Sequence, residues 1–202
     1  MAAFLVIALP KTPATAQDAK SGKHPPVAVT FFIQQIDSAD EREALRAALQ
    51  KIKSVTAATF GSHGEYVTVQ FDSHVVSYHQ IAQAIADAGT AARKKYDPQL
   101  KIEIPEYATA DHAAKIDVLF SGKRLNQRVR IEPLDKAKGE FAVHFLSLEL
   151  DPNTTGPQGF NGGHLHHPIH DPPPRGLGLE MNYLSGQDSM TTNTAHSEHS
   201  SN

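Results

Sequence analysis

The sequence predicts an α+β fold in which two amphipathic helices cover one face of an antiparallel sheet and a second, β-rich segment follows. Three observations carry this. Apolar residues alternate with polar ones in short runs between Val27 and Phe71. Elsewhere the apolar period becomes helical, at Leu45, Leu49 and Ile52 and again at Ile81, Ala84, Ile85 and Ala88. Each helical stripe is preceded by a Ser with Glu or Gln three residues later, a helix-start signature. The composition agrees: 202 residues with 40% hydrophobic and 20% charged side chains fill a packed core and exclude a membrane bundle. With 19 Lys+Arg against 22 Asp+Glu, the net charge of -3 gives no general attraction to nucleic acid or anionic lipid.

The chain opens on an apolar run, Ala2 to Leu9, of the length of a secretory signal core and far short of the roughly 20 residues a spanning helix needs. Small residues at Ala14 and Ala16 fit cleavage before Gln17, although no Lys or Arg precedes the run. Residues 1–16 are therefore expected to be a signal peptide and 17–26 a polar linker, with the rest periplasmic or secreted and without a membrane span. There is no Cys, so disulfides, thiolate metal sites and cysteine nucleophiles are excluded.

Val27, Val29, Phe31 and Ile33 share one face of a mostly buried strand. Ser38 and Glu41 have capping-box spacing, in which the Ser hydroxyl accepts from a first-turn N–H while the Glu carboxylate accepts from the Ser N–H; a helix of about 15 residues is expected from there. Val55 to Phe60 and Tyr66 to Phe71 read as a hairpin around a Ser62 to Glu65 turn. Ser77 and Gln80 repeat the capping box, and Gly89 stands where a helix C-cap belongs. Leu100 to Ile104, or Ala91 to Tyr96, closes the sheet. Over residues 27–105 this order, βαββα(β), is the ferredoxin-like arrangement.

The segments "LRAALQKIKSVTAATF", "YVTVQFD" and "IAQAIADAG" within Val27 to Gly89 resemble the heavy-metal-associated domain of copper chaperones and metal-transport ATPases. The resemblance implies the ferredoxin-like fold. It also implies where a metal loop would lie: the Met and two Cys positions of the family's Met-x-Cys-x-x-Cys loop fall on Ile36, Ser38 and Glu41, so the thiolate site is absent.

Beyond Gly89 the sequence reads as a small antiparallel β unit, residues 112–184, with no helix. Its strands are Lys115 to Phe120, Arg128 to Ile131 and Phe141 to Leu150, its turns Ser121-Gly122 and Asp135 to Gly139, and its last apolar stretch Leu177 to Tyr183. Asp151 to Gly186 holds seven of the 13 Gly and six of the 13 Pro, and a loop of this length, His-rich over residues 151–176, is expected to be either functional or disordered. The polar tail 185–202 is expected to be disordered.

That loop carries the most distinctive chemistry. His164, His166, His167, His170 and Asp171 place four of the 12 His and a carboxylate in one short stretch. Imidazole without thiol suits a divalent transition metal, copper, zinc or nickel, rather than Cu(I). Pro168 argues against a regular helix, so the expected arrangement is extended, with His164 and His166 on one side, His167 across, His170 folding back and Asp171 as ligand or tautomer-fixing acceptor. His63, His74 and His79 read as single surface residues. The chain has no G-x-S-x-G, Walker or G-x-G-x-x-G sequence, and no enzyme is expected. The hairpin "GEYVTVQF" lacks the aromatic spacing of an RNA-binding strand, so no nucleic-acid partner is expected. The reading is an exported metal-binding or metal-homeostasis protein. Its alternative is an interaction module in which the same fold recruits another exported protein without metal.

Overall fold

The computed structural model describes residues 25–33, 36, 38–88, 96–146 and 159–186. The expected signal segment, residues 17–24 of the linker, the Gly89 cap, residues 91–95 and 147–158, and the tail from residue 187 lie outside them.

The first half follows the expected order: β1 (Val27–Phe32), α1 (Ala39–Gln50), β2 (Ala57–Phe60), β3 (Tyr66–Phe71), α2 (Tyr78–Asp87) and β4 (Gln99–Glu103). Both capping boxes are formed. The Glu41 N–H donates to Ser38 Oγ at 3.2 Å while the Ser38 N–H donates to the Glu41 carboxylate, and Ser77 with Gln80 makes the same pair. Helix α1 has 12 residues, shorter than expected, because the chain turns at Lys51 to reach β2.

The second half corrects the expectation of an all-β unit. After a 3-10 turn (Pro105–Ala108) come α3 (Ala110–Phe120), α4 (Lys123–Asn126), β5 (Val129–Asp135), β6 (Glu140–Phe145), α5 (Gly163–His170) and β7 (Asn182–Tyr183). The run Lys115 to Phe120, expected as a strand, lies in α3. Four apolar residues around Asp117 fit either period; the helix buries Ile116 and Phe120 and leaves Val118 72% exposed, as a three- and four-residue spacing demands. The predicted final strand shrinks to Asn182–Tyr183.

These strands form one seven-stranded sheet in the order β2-β3-β1-β4-β6-β5, with β7 on β4. All pairings are antiparallel. Strand β6 pairs along the whole of β4, so β7, at Ile102 and Glu103, takes the other edge of β4, the edge that β1 touches at Gln99. The architecture is therefore two βαββαβ units fused through one strand. Strand β4 closes the first unit (β1-α1-β2-β3-α2-β4) and opens the second (β4-α3-β5-β6-α5-β7), and the strand order is the ferredoxin-like one in each. Pro133 is tolerated in β5 because β5 is an edge strand with a bulge there.

The register places Val29, Phe31, Val67, Val69, Phe71, Leu100, Ile102, Phe141 and Val143 on one sheet face, all buried. Leu45 and Leu49 of α1, Ile81 and Ile85 of α2, Ile116 of α3 and Leu165 and Ile169 of α5 join the same cluster, so the helices of both units cover this face. The opposite face carries Thr68, Gln70, Gln99, Lys101, Arg130 and Glu132. Both hairpin turns bear on the loop that follows the first strand of their unit. The Ile36 N–H donates to Gly64 O at 3.1 Å and the Ile104 N–H to Gly139 O at 2.9 Å, with φ of +75° and +73° at the two glycines.

Candidate functional site

The loop that carries thiolates in heavy-metal-associated domains is occupied structurally in the first unit. Ser38 and Glu41 are tied to each other as the α1 cap, and Ile36 is 2% exposed beneath the hairpin. The equivalent loop of the second unit is the 3-10 turn, where Tyr107 is buried edge-on to Phe141 at 4.9 Å and its hydroxyl donates to Asp117 Oδ1 at 3.0 Å.

The His-rich segment is a helix, which corrects the extended arrangement expected from Pro168. Proline removes one N–H and crowds the preceding turn, but here packing and outside partners hold the segment. Leu165 and Ile169, one turn apart, are fully buried. Phe160, also fully buried, packs against Tyr78 and Phe145 at 6.3 and 5.9 Å, and its carbonyl accepts from the His79 N–H at 3.1 Å. At the far end the irregular segment that follows supplies donors the helix lacks: the Leu177 N–H to Pro168 O at 3.0 Å, the Leu179 N–H to Ile169 O at 2.9 Å and the Gly178 N–H to Asp171 O at 2.9 Å.

With Leu165 and Ile169 turned inward, the imidazoles separate by position. His164 belongs to the start of the helix, stacked on Phe160 at 5.7 Å with Nδ1 accepting from the Asn161 N–H at 3.0 Å. His166 and His170, one turn apart, have ring centroids 4.7 Å from each other. His167 Nδ1 lies 3.5 Å from Asp171 Oδ1 on the neighbouring stripe. Burial, then the proximity of His170 and His167, holds the His166 imidazole below the usual histidine range, with Asp171 opposing. The shift favours the neutral ring, the state in which a ring nitrogen can ligate. Among the described residues no group of three or more His, Cys, Asp or Glu side chains is assembled as it would be around a metal ion.

Of the histidines expected as single surface residues, His74 is exposed and His79 is buried. His79 is 1% exposed, edge-on to Phe145, and burial followed by the charge of Arg128 lowers its pKa. His74, in the turn after β3, lines a cleft with His166 and His167. The sequence signal for His74 was its place beside Asp72, whose carboxylate accepts its N–H at 2.9 Å and stands 3.4 Å from its Nδ1.

Fold and site together define the class: a thiol-free, two-unit ferredoxin-like α+β protein with an imidazole-bearing helix. No family model matches the chain and no curated protein matches it. Among solved structures it is similar to the water-soluble region of the P-type ATPase CopA from Bacillus subtilis, with a TM-score of 0.36, 18% identity, 82% of this chain and 95% of that one covered. It is also similar to the N-terminal soluble domains of the same protein, with a TM-score of 0.33, 15% identity and 63% and 82% coverage.

Proposed function

We propose that this chain is an exported protein that binds a divalent transition-metal ion, copper, zinc or nickel, through the imidazoles of α5, in a metal-homeostasis role. One observation carries the reading: His166 and His170 stand side by side one helical turn apart, ring centroids 4.7 Å from each other. Two imidazoles at this spacing form a chelating pair on one helix face, and His167 with Asp171 on the next stripe adds a carboxylate-supported ligand. Export is supported by the Ala2 to Leu9 run and the small residues before Gln17, and a chain without Cys has no thiol to be oxidised there.

The test is calorimetric titration of the untagged chain from Gln17 onward with Cu(II), Zn(II) and Ni(II), beside a His166→Ala/His170→Ala variant. One equivalent bound by the parent and lost in the variant supports the reading. No binding, or equal binding by both, overturns it and leaves the two-unit scaffold as a protein-interaction module.

A further inference from the structure

Folding buries the His79 imidazole, in a residue 1% exposed, and gives its Nδ1 no hydrogen-bond partner. A Cβ added to Gly159, at φ +80°, would come within 2.6 Å of the His79 Cβ and 3.3 Å of Nδ1, so the Gly159 backbone lies over that side of the ring. A buried N–H without an acceptor is costlier than an idle lone pair, which puts the proton of the neutral ring on Nε2. Burial and then the charge of Arg128 favour that neutral ring. The same imidazole lines a cleft of about 230 Å³ between α2, the segment that enters β4 and the end of β6. Tyr96 and Phe145 supply aromatic walls, and Ala82 and Ala86, one turn apart on α2, leave the space between them. Asp97, 68% exposed, marks the mouth, its carboxylate 3.9 Å from His144 Nδ1.

We infer that this cleft binds a small hydroxylated aromatic amine, one ring with a short ammonium arm: the ring lies between Tyr96 and Phe145, its hydroxyl oxygen accepts from the His79 Nε2–H, and the ammonium pairs with Asp97. The inference is independent of the metal-binding reading of α5. Each part of the ligand answers one feature of the cleft. The volume admits one ring and a short arm, since a cavity of roughly 150 Å³ already takes benzene. The aromatic walls favour a flat ring, and the buried imidazole calls for an acceptor carried rigidly on it. The carboxylate at the mouth selects a cation over an anion.

The test is an amide-correlation NMR titration of the untagged chain with three probes: tyramine, phenethylamine, which lacks the hydroxyl, and para-hydroxyphenylacetate, which carries a carboxylate in place of the ammonium. Tyramine is expected to shift the amides of Ala82, Ala86 and Phe145 with a Kd of about 1 mM or below. Phenethylamine should bind about tenfold more weakly, and para-hydroxyphenylacetate more weakly still. Asp97→Asn should weaken tyramine binding by about tenfold, and His79→Leu should bring tyramine down to the level of phenethylamine. Ala86→Leu fills the cleft from a partly exposed helix position that leucine suits, so this variant should fold and no longer bind tyramine. The probe series and Ala86→Leu decide the matter even where His79→Leu does not fold. Equal affinity for the three probes, tyramine binding that survives Ala86→Leu, or no shift of these amides with tyramine at about 10 mM would overturn the inference.

Discussion

Alanine at Gly139 tests the two-unit architecture where it is tightest. Gly139 sits in the β5–β6 turn at φ +73°, and a Cβ there would overlap the carbonyl oxygen of Ile104 and come within 2.9 Å of its carbonyl carbon. Both partners are backbone, so no side chain can swing aside. Alanine in the left-handed region costs about 1 to 2 kcal/mol. Relieving the overlap moves the turn away from Ile104 and breaks the bond from the Ile104 N–H to Gly139 O, 2.9 Å long; Ile104 is fully buried, so the orphaned donor costs about 1 to 3 kcal/mol more. The expected loss is about 2 to 5 kcal/mol. Gly64 holds the same place in the first unit with a looser fit, its virtual Cβ 2.6 Å from Ile36 O, so Gly64→Ala should lose somewhat less. Urea unfolding followed by far-UV dichroism and by tyrosine fluorescence provides the measurement. Because β4 belongs to both units, each variant should unfold in one transition with the two probes coincident. A loss below about 1 kcal/mol for Gly139→Ala would refute the contact, and two separated transitions would refute the shared strand.

Three further outcomes follow from local geometry. Ser38→Ala and Ser77→Ala each remove one side of a reciprocal cap and should cost about 1 kcal/mol apiece in urea unfolding, with the double variant near their sum. Phe160→Ala opens a cavity where the side chain is fully buried between Tyr78 and Phe145 and should cost about 3 to 5 kcal/mol, with faster amide exchange across Gly163–His170 as the local readout. His79 has its pKa lowered by burial and by Arg128, so below about pH 6.5 the unfolded chain takes up the proton before the folded one. Stability is then complete above that pH and falls as pH drops through the window beneath it, by at most about 1.4 kcal/mol per pH unit for one proton. Urea midpoints between about pH 7 and pH 5 should show a smaller fall for His79→Leu than for the parent, and equal falls would refute the assignment.

The first unit was legible because its signals are local. Capping residues at Ser38 and Ser77, stripes at Leu45 and Leu49 and at Ile81 and Ile85, and alternation in Tyr66 to Phe71 each lie within one element and agree with the final packing. The second unit was hidden by three features of a different kind. Its helix α3 ends in a run that satisfies two periods, and no side-chain cap marks its start. Its first strand had already been counted as the last strand of the first unit, and pairing of one strand on both edges leaves no trace in hydrophobic pattern alone. Its second hairpin repeats the Gly-Glu-aromatic sequence of the first, Gly139-Glu140-Phe141 against Gly64-Glu65-Tyr66, yet Tyr66 pairs with Phe32 on the face away from the helices while Phe141 is buried beneath them, so the two turns differ in register by one residue. The His-rich segment was legible as chemistry but not as structure, because the donors that sustain a proline-containing helix come from Leu177 to Leu179, outside it.

The repeat itself supplies a control for the site. Helices α2 and α5 occupy equivalent places, and their inward residues match: Ile81 and Ile85 correspond to Leu165 and Ile169, all fully buried. Held in that register, the α2 residues Ala82, Gln83, Ala86 and Asp87 stand where α5 has His166, His167, His170 and Asp171. Even the side-chain pairing is shared, for Gln83 donates to Asp87 at 2.7 Å where His167 faces Asp171 at 3.5 Å. A helix in this position thus needs neither imidazole nor proline to pack, and the outward imidazoles are surplus to folding. Writing the α2 residues into α5, as His166→Ala/His167→Gln/His170→Ala, should leave the urea midpoint of the metal-free chain unchanged within about 1 kcal/mol, since Ala and Gln favour helix at least as well as His. It should at the same time abolish stabilisation by Zn(II), which for a ligand at a hundred times its Kd is about 2.7 kcal/mol in the parent. A large loss of stability without metal would show that the imidazoles hold α5 in place, and metal stabilisation that survives the triple change would place the ligands elsewhere on the chain.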